Sequence, residues 1–344
     1  MNQVELTERR PSLRRLDYHY IAMQAGFWAM FAAIVAYQTA LLLERGFSNS
    51  EAGLMTAVRC LAGIVFQPLL GGFADRHPRI PLKYIVGISL LISVAAGAWY
   101  WLSPGMGLWE TTLVWVVIGG LEVSSYPLMD AMAVRFINEG MPIRYSLGRG
   151  IGSLAYAVVC VVLGFQAGRL GMESTLLTHL ALVVLEILLV VTYPAYRGKG
   201  GPAGEEGPRP QSALSLLRSN PRFTLMLTGV FLGLTGIMPL SNFLVNIVNS
   251  RGGTDSDLGI ALFLMGASEL PTAFFFQKLL RRLGSGKLLL MSMVFGTLKG
   301  VLLLCTFNCL GGLAVQPIQV LGYGLFTPAS VYFVNESVPA ADRV

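Results

Sequence analysis

Apolar residues run along this chain in long stretches separated by short polar connections. Ten stretches stand out, at about 19–43, 52–74, 84–102, 110–134, 149–168, 174–194, 223–247, 258–279, 287–306 and 310–334. A helix needs about 20 apolar residues to cross the hydrocarbon core of a bilayer, and each stretch has roughly that many. Lipid offers the backbone no hydrogen-bond partners, so runs of this length are predicted to be helices that satisfy their own N–H and C=O groups. The pattern therefore predicts an all-α polytopic membrane protein.

The polar connections carry their charge unevenly. Arg9, Arg10, Arg14 and Arg15 precede the first span. Arg76, Arg79 and Lys83 follow the second, Arg135, Arg144 and Arg149 the fourth, Arg197, Lys199, Arg209, Arg218 and Arg222 the sixth, and Lys278, Arg281, Arg282 and Lys287 the eighth. The other connections hold only Arg45, Arg169 and Arg251, beside Glu44, Glu51, Glu110, Glu173, Asp255 and Asp257. Positive charge stays on the cytoplasmic side, so the N-terminus and every even-numbered connection are expected in the cytoplasm of a bacterial-type inner membrane. The chain is 54% hydrophobic and 13% charged; a soluble domain would carry about a quarter charged residues. Its net charge of +6 lies in short connections rather than on one face, which excludes nucleic acid as a partner. The first apolar run is too long for a signal-peptide core.

Cys60, Cys160, Cys305 and Cys309 lie in or beside apolar runs. Cys305 and Cys309 share a helical face, but no His or carboxylate adjoins them, so packing rather than a metal is expected. Gly148-x-Gly150-x-Gly152 opens a membrane helix with no strand before it, so it fails as a dinucleotide fingerprint, and no phosphate-binding loop with Gly-Lys-Ser/Thr occurs. No cofactor is expected. A membrane enzyme would need clustered ligands or a Ser/His pair, whereas His19, His77 and His179 are scattered.

The longest connection, Gly198 to Pro210, is rich in Gly and Pro and reads as a flexible linker. It divides the chain into a six-span part, 1–194, a linker, 195–221, and a four-span part, 222–344. Ser212–Arg218 is expected to form a short surface helix leading into the seventh span. The basic turn Gly71–Lys83 is echoed by Gln277–Lys287, each after the second span of its part. Such an echo suggests two related halves.

The segment Gly71-x-x-x-Asp75-Arg76-x-x-Arg79 resembles the loop motif of the major facilitator superfamily, with Pro78 in place of a second Gly. Pro127-Leu-Met-Asp130, Tyr145-Ser-Leu-Gly-Arg149-Gly-Ile151-Gly-Ser153 and Glu269-Leu-Pro271 are similar to signatures of its phenylpropionate-permease and lactose-permease-like branch. Ile151 stands where that branch has Trp, Lys299 where many relatives have Arg, and Gln319 where many have His. The resemblance implies two six-helix bundles and secondary transport of a small organic solute by alternating access. Its branch implies an oligosaccharide or nucleoside symporter coupled to protons, working as a monomer in the bilayer. It also implies twelve helices, so this chain reads as truncated after the tenth, with a natural ten-helix protein as the alternative. In the family the Asp75–Arg76 loop, with Gly71 and Arg79, pairs with neighbouring helix ends and steadies the outward-open state; a plain positive-inside turn is the alternative.

Ionisable groups at bilayer depth cost about 2.5–3.5 kcal/mol each on insertion scales, so they mark pairs or cavities. Glu122 and Asp130 are separated on one helix by about 80° and about 12 Å, so both are expected to face one cavity, with Arg149 within reach of Asp130. Either the pair breaks and reforms during transport or it holds two helices in register. Glu269 and Lys299 lie at similar depth in consecutive helices, and a direct pair is expected there: protonating Glu269 would release Lys299, or the pair is structural. Arg59 either contacts an anion or pairs with Glu186 or another acid. His179 is expected near the outer surface. Trp28, Phe31, Tyr37, Gln38, Tyr126, Asn242, Asn246, Gln316, Gln319 and Tyr323 could line a solute cavity, though aromatic residues in membrane helices also serve as packing. Sugars, nucleosides and aromatic acids all remain as solutes, and an exporter or a non-transporting sensor as alternative functions.

Overall fold

The computed structural model describes residues 13–138, 141, 143–195 and 213–338. Most of the predicted linker, including Arg197, Lys199 and Arg209, lies outside the described residues, as do Arg9, Arg10 and the last six residues. The structure is all helical among the described residues, and the ten predicted spans coincide with its helices. Among the described residues nine helices are long and apolar enough to cross a membrane, and the bent eighth span, taken as one, makes ten.

Five of the spans are single helices in the first part of the chain: α3 (Asn49–Arg76), α4 (Leu82–Leu102), α5 (Leu108–Asn138), α6 (Tyr145–Leu170) and α7 (Glu173–Thr192). The first span is interrupted. Helix α1 (Leu13–Phe31) runs into a π-helical turn at Ala32–Ala36, breaks at Tyr37 and resumes as α2 (Gln38–Glu44). The predicted surface helix is α8 (Ala213–Ser219). The seventh span is α9 (Pro221–Asn242) and α10 (Leu244–Ser250), the eighth α11 (Asp255–Ser268) and α12 (Leu270–Leu283), and the ninth α13 (Ser285–Leu304). The tenth is α14 (Cys309–Val315), a 3₁₀ turn at Gln316–Val320, and α15 (Tyr323–Ser337).

The second span of each part begins with the same device. Arg45-Gly46-Phe47-Ser48 leads into α3, and Arg251-Gly252-Gly253-Thr254 leads into α11. Gly46 and Gly252 have φ of +89° and +72°, the left-handed region that glycine enters without strain. Ser48 with Glu51, and Thr254 with Asp257, then close capping boxes that satisfy the first free N–H groups. Arg45 donates to the carbonyl of Tyr100 at the end of the third span, and Arg251 to that of Leu303 at the end of the ninth. The two parts thus carry an internal repeat, Arg-Gly-x-Ser/Thr-x-Ser-Glu/Asp, plainer than the echo in the basic turns.

Two compact units result: Met1–Tyr156 with Leu170–Arg197, and Ala157–Arg169 with Gly198–Val344. The first is filled by Tyr20, Met23, Phe27, Met30, Leu90, Met129 and Val183, all buried. Its ends are clasped by ion pairs. Arg45 grips both carboxylate oxygens of Glu173, at 2.5 and 2.9 Å, and Arg144 grips Asp17. Lys83 donates to the carbonyls of Val191 and Tyr193, which the end of α7 leaves free. The second unit has a smaller core around Phe276, Leu288, Leu325 and Phe333. In it the C-terminal part of α6 touches α11, where a Cβ on Gly164 would lie 2.6 Å from the Cα of Gly259. Helix α9 buries none of its residues.

Candidate functional site

In the first unit, α5 carries Asp130 into a nest of neutral donors. The hydroxyls of Tyr20 and Tyr145 donate to it at 3.2 and 2.7 Å, and the Gln24 amide at 2.8 Å. Arg149 is further off, at 3.8 Å. The expected Asp130–Arg149 pair therefore exists, but as a loose contact added to a carboxylate that three other groups already hold. The Arg149 guanidinium lies over the rings of Tyr126 and Trp28, 5.1 and 5.9 Å from their centroids. Two glycines make this possible. A Cβ on Gly148 would sit 2.6 Å from Tyr20, and one on Gly152 would sit 2.4 Å from Trp28, so α6 can approach α1 only because both lack one. Phe27, Phe31 and Tyr156 complete the aromatic surround of Trp28. The Trp28 indole N–H and the Tyr126 hydroxyl are buried without hydrogen-bond partners among the described residues.

Glu122 does not share that surround. Helix α5 aims it instead at α4 and α7, where it accepts a 2.5 Å hydrogen bond from Ser93 and lies 3.1 Å from His179 Nε2. The expectation that Glu122 and Asp130 face one cavity is corrected: an 80° separation suffices to send them to different neighbours. His179, expected near the outer surface, is fully buried, with Nδ1 3.0 Å from the Met30 carbonyl. Sequence alone hid this contact because His179 and Glu122 approach from helices far apart in the chain. Glu186, on the same helix as His179, lies against Gly26 and is likewise buried, with no hydrogen-bond partner among the described residues. Arg59 does not pair with it; its Nε donates to Gln38 Oε1 at 2.7 Å.

In the second unit, two helix breaks meet one continuous helix. Glu269 sits at the junction of α11 and α12, where Pro271 prevents the ladder from continuing. Gln319 sits in the 3₁₀ turn of the tenth span, which begins at Gln316-Pro317. Thr272 donates to the Val320 carbonyl that this turn leaves free. Lys299 reaches the junction from α13 and donates to Gln319 Oε1 at 2.8 Å, while Gln319 Nε2 donates to Glu269 Oε1 at 3.4 Å. The direct Glu269–Lys299 pair expected from sequence is thus corrected to a chain with a carboxamide in the middle. Lys299, at 6% exposure, borders a narrow apolar cleft with Ile237, Ser241, Leu244, Met265 and Gln316.

The other candidates are more dispersed. Asn242 is exposed and Asn246 half-buried on either side of the break at Phe243. Tyr323 lies against Phe326 at the start of α15, their rings tilted by 35°. Asp75, Arg76 and Arg79 are exposed, and none makes an ion pair among the described residues. Nor does any group of His, Cys, Asp and Glu among them have the arrangement of a metal site.

Comparison with known proteins agrees with this architecture. The maltose permease of Geobacillus stearothermophilus is 24% identical over 274 residues, covering 79% of this chain and 66% of the permease. The crystal structure of a point mutant of the nucleoside transporter NupG matches with a TM-score of 0.80 at 16% identity, over 95% of this chain and 85% of NupG. A bacterial homologue of the human lysosomal transporter Spinster, crystallised inward-facing and unoccupied, matches with a TM-score of 0.68 at 15% identity, over 97% and 77% of the two chains. At such identities the structural likeness is one of fold. The model of the Major Facilitator Superfamily matches residues 20–344, and with its polytopic helical fold the chain belongs to that superfamily of membrane transporters.

Proposed function

We propose that this chain carries a sugar- or nucleoside-like solute across the inner membrane together with a proton, by alternating access. The relation to a maltose permease and the fold shared with a nucleoside transporter support the solute class. The alternation of basic connections supports an orientation with the N-terminus in the cytoplasm. We take the working unit to be a monomer of two bundles, divided by the linker at 195–221.

The observation that carries the coupling is the Glu269–Gln319–Lys299 chain. Gln319 links an acid and a base at a point where both supporting spans are broken, so a change in charge at Glu269 bears on helix segments that can move separately. Protonation of Glu269 removes the negative charge that opposes Lys299 and loosens the junction. Deprotonation restores it. The solute side of the site is the aromatic surround in the first unit. Trp28 and Tyr126 offer ring faces to a sugar or base, and their unpartnered N–H and O–H suit its hydroxyls. Arg149 stands over the same rings and can exchange Asp130 for the solute at small cost, because Asp130 keeps three other donors.

Proteoliposomes with an imposed proton gradient test this reading. Labelled maltose, uridine or a related solute is expected to accumulate and to be released by a protonophore. Uptake that ignores the gradient removes the coupling, and absence of both uptake and counterflow removes transport of this class.

A further inference from the structure

Arg59 is a buried cation with no ion-pair partner among the described residues. It lies about 15 Å from the outer end of α3 and is 7% exposed. Gly119 on α5 pins its stem, since a Cβ there would lie 2.1 Å from Arg59 Cγ. Among the described residues its one hydrogen bond runs from Nε to the neutral Gln38, at 2.7 Å, and no carboxylate lies within 4.0 Å.

Glu122, three residues beyond Gly119 on α5, already accepts from Ser93 and faces His179. His179 Nδ1 faces the Met30 carbonyl, which only accepts, so Nδ1 carries a proton. His179 Nε2 faces Glu122 at 3.1 Å, so this carboxyl is already taken up by an imidazole and a hydroxyl. Glu186 is remote. It lies against Gly26, and Gly26 is twelve residues, about 18 Å, from Gln38 along the first span. The Arg59 guanidinium therefore stands without a counter-charge of its own among the described residues, in a low-dielectric interior that disfavours an isolated ion.

Gln38 adds to the imbalance. Its Oε1 is engaged by Arg59, and its Nε2 is buried with no acceptor among the described residues. The π-helical turn at Ala32–Ala36 rephases the residues that follow it and sets Gln38 toward α3. A guanidinium and a carboxamide thus present donors side by side with no acceptor, the arrangement that a carboxylate satisfies.

We propose that Arg59 and Gln38 bind a carboxylate of the transported solute, so that the preferred solute is an acidic sugar or nucleoside rather than its neutral counterpart. This rests on the transport reading above and narrows it. Two pairs of compounds differ by one carboxylate: glucose with glucuronate, and uridine with orotidine. In proteoliposome uptake and in thermal-shift binding, the acid of at least one pair is expected to be favoured over its neutral twin by about tenfold or more, the value of one charge-assisted hydrogen bond. R59Q removes an unmatched charge and is expected to fold as well as the parent while losing that preference. Q38E supplies an internal carboxylate, and it too is expected to lose the preference, with a higher melting temperature.

Three results overturn the proposal. One is preference for the neutral twin with transport intact, which leaves the transport reading standing. Another is an acid preference that survives in a monodisperse R59Q or Q38E. The third is protection by inorganic phosphate or acetate equal to that by the acid twin, which would assign the site to a free anion. If no member of either pair binds or moves, this proposal and the transport reading fall together.

Discussion

Glu122 and His179 provide the sharpest test of how the first unit is built. Both are buried, at 1% and 0% exposure, and the pair is completed by Ser93 and the Met30 carbonyl. Replacing His179 by Leu would strand the Glu122 carboxyl with one hydroxyl donor, and replacing Glu122 by Leu would strand the imidazole. Removing one member of a buried, hydrogen-bonded pair costs about 3–5 kcal/mol, which is about two to three and a half powers of ten in the unfolding equilibrium. Removing both members leaves nothing stranded, and apolar replacement of a whole buried pair is often near neutral. The double variant E122L/H179L is therefore expected to be more stable than either single variant. Because the double variant costs less than either single one, the coupling expected in the cycle exceeds about 3 kcal/mol. Reversible unfolding in mixed detergent micelles, followed by tryptophan fluorescence for all four proteins, measures it. Additive single effects, within about 0.5 kcal/mol, would refute the pairing. Parallel uptake assays address role: a double variant that folds but no longer concentrates solute would assign Glu122 to proton coupling, contrary to its placement away from the aromatic surround.

E269Q is expected to lose gradient-driven accumulation while keeping solute exchange; accumulation at the parent level would end the coupling role of Glu269. Q319L is expected to resemble E269Q in uptake, because it cuts the carboxamide that joins Lys299 to Glu269, and normal pH dependence of uptake in that variant would show the link to be dispensable. G152A places a methyl 2.4 Å from Trp28 Cδ1 and 3.1 Å from the Gln24 carbonyl. It is expected to cost about 1–3 kcal/mol and to weaken solute binding, with unaltered tryptophan emission and binding as the contrary result.

The positions of the spans could be read from sequence because the bilayer acts on each residue locally. Twenty apolar residues cross it whatever their neighbours, and basic residues stay on one side of it. The repeat beginning at Arg45 and Arg251 was equally present in the sequence, as the same residue types at the same spacing, and its capping roles follow from local geometry. Asp130 and Arg149 were close enough in sequence, on adjacent helices, for their contact to be anticipated.

What the sequence could not determine was which face of a helix meets which neighbour. Glu122 and Asp130 lie an ambiguous 80° apart, and only the packing of α4 and α7 against α5 sends Glu122 to Ser93 and His179. Helix breaks have the same effect. The π-helical turn before Gln38 and the 3₁₀ turn around Gln319 each change the phase of the residues they carry, so a periodicity counted at 3.6 residues per turn loses its bearing there. Gln319 could come between Glu269 and Lys299 only once the eighth and tenth spans had been broken and brought against α13. The chain's membrane character and the location of its spans are therefore properties of the sequence, because they depend on residue and bilayer alone. The partners of its buried charges belong to the tertiary structure, because they depend on rotations and breaks that no single helix specifies.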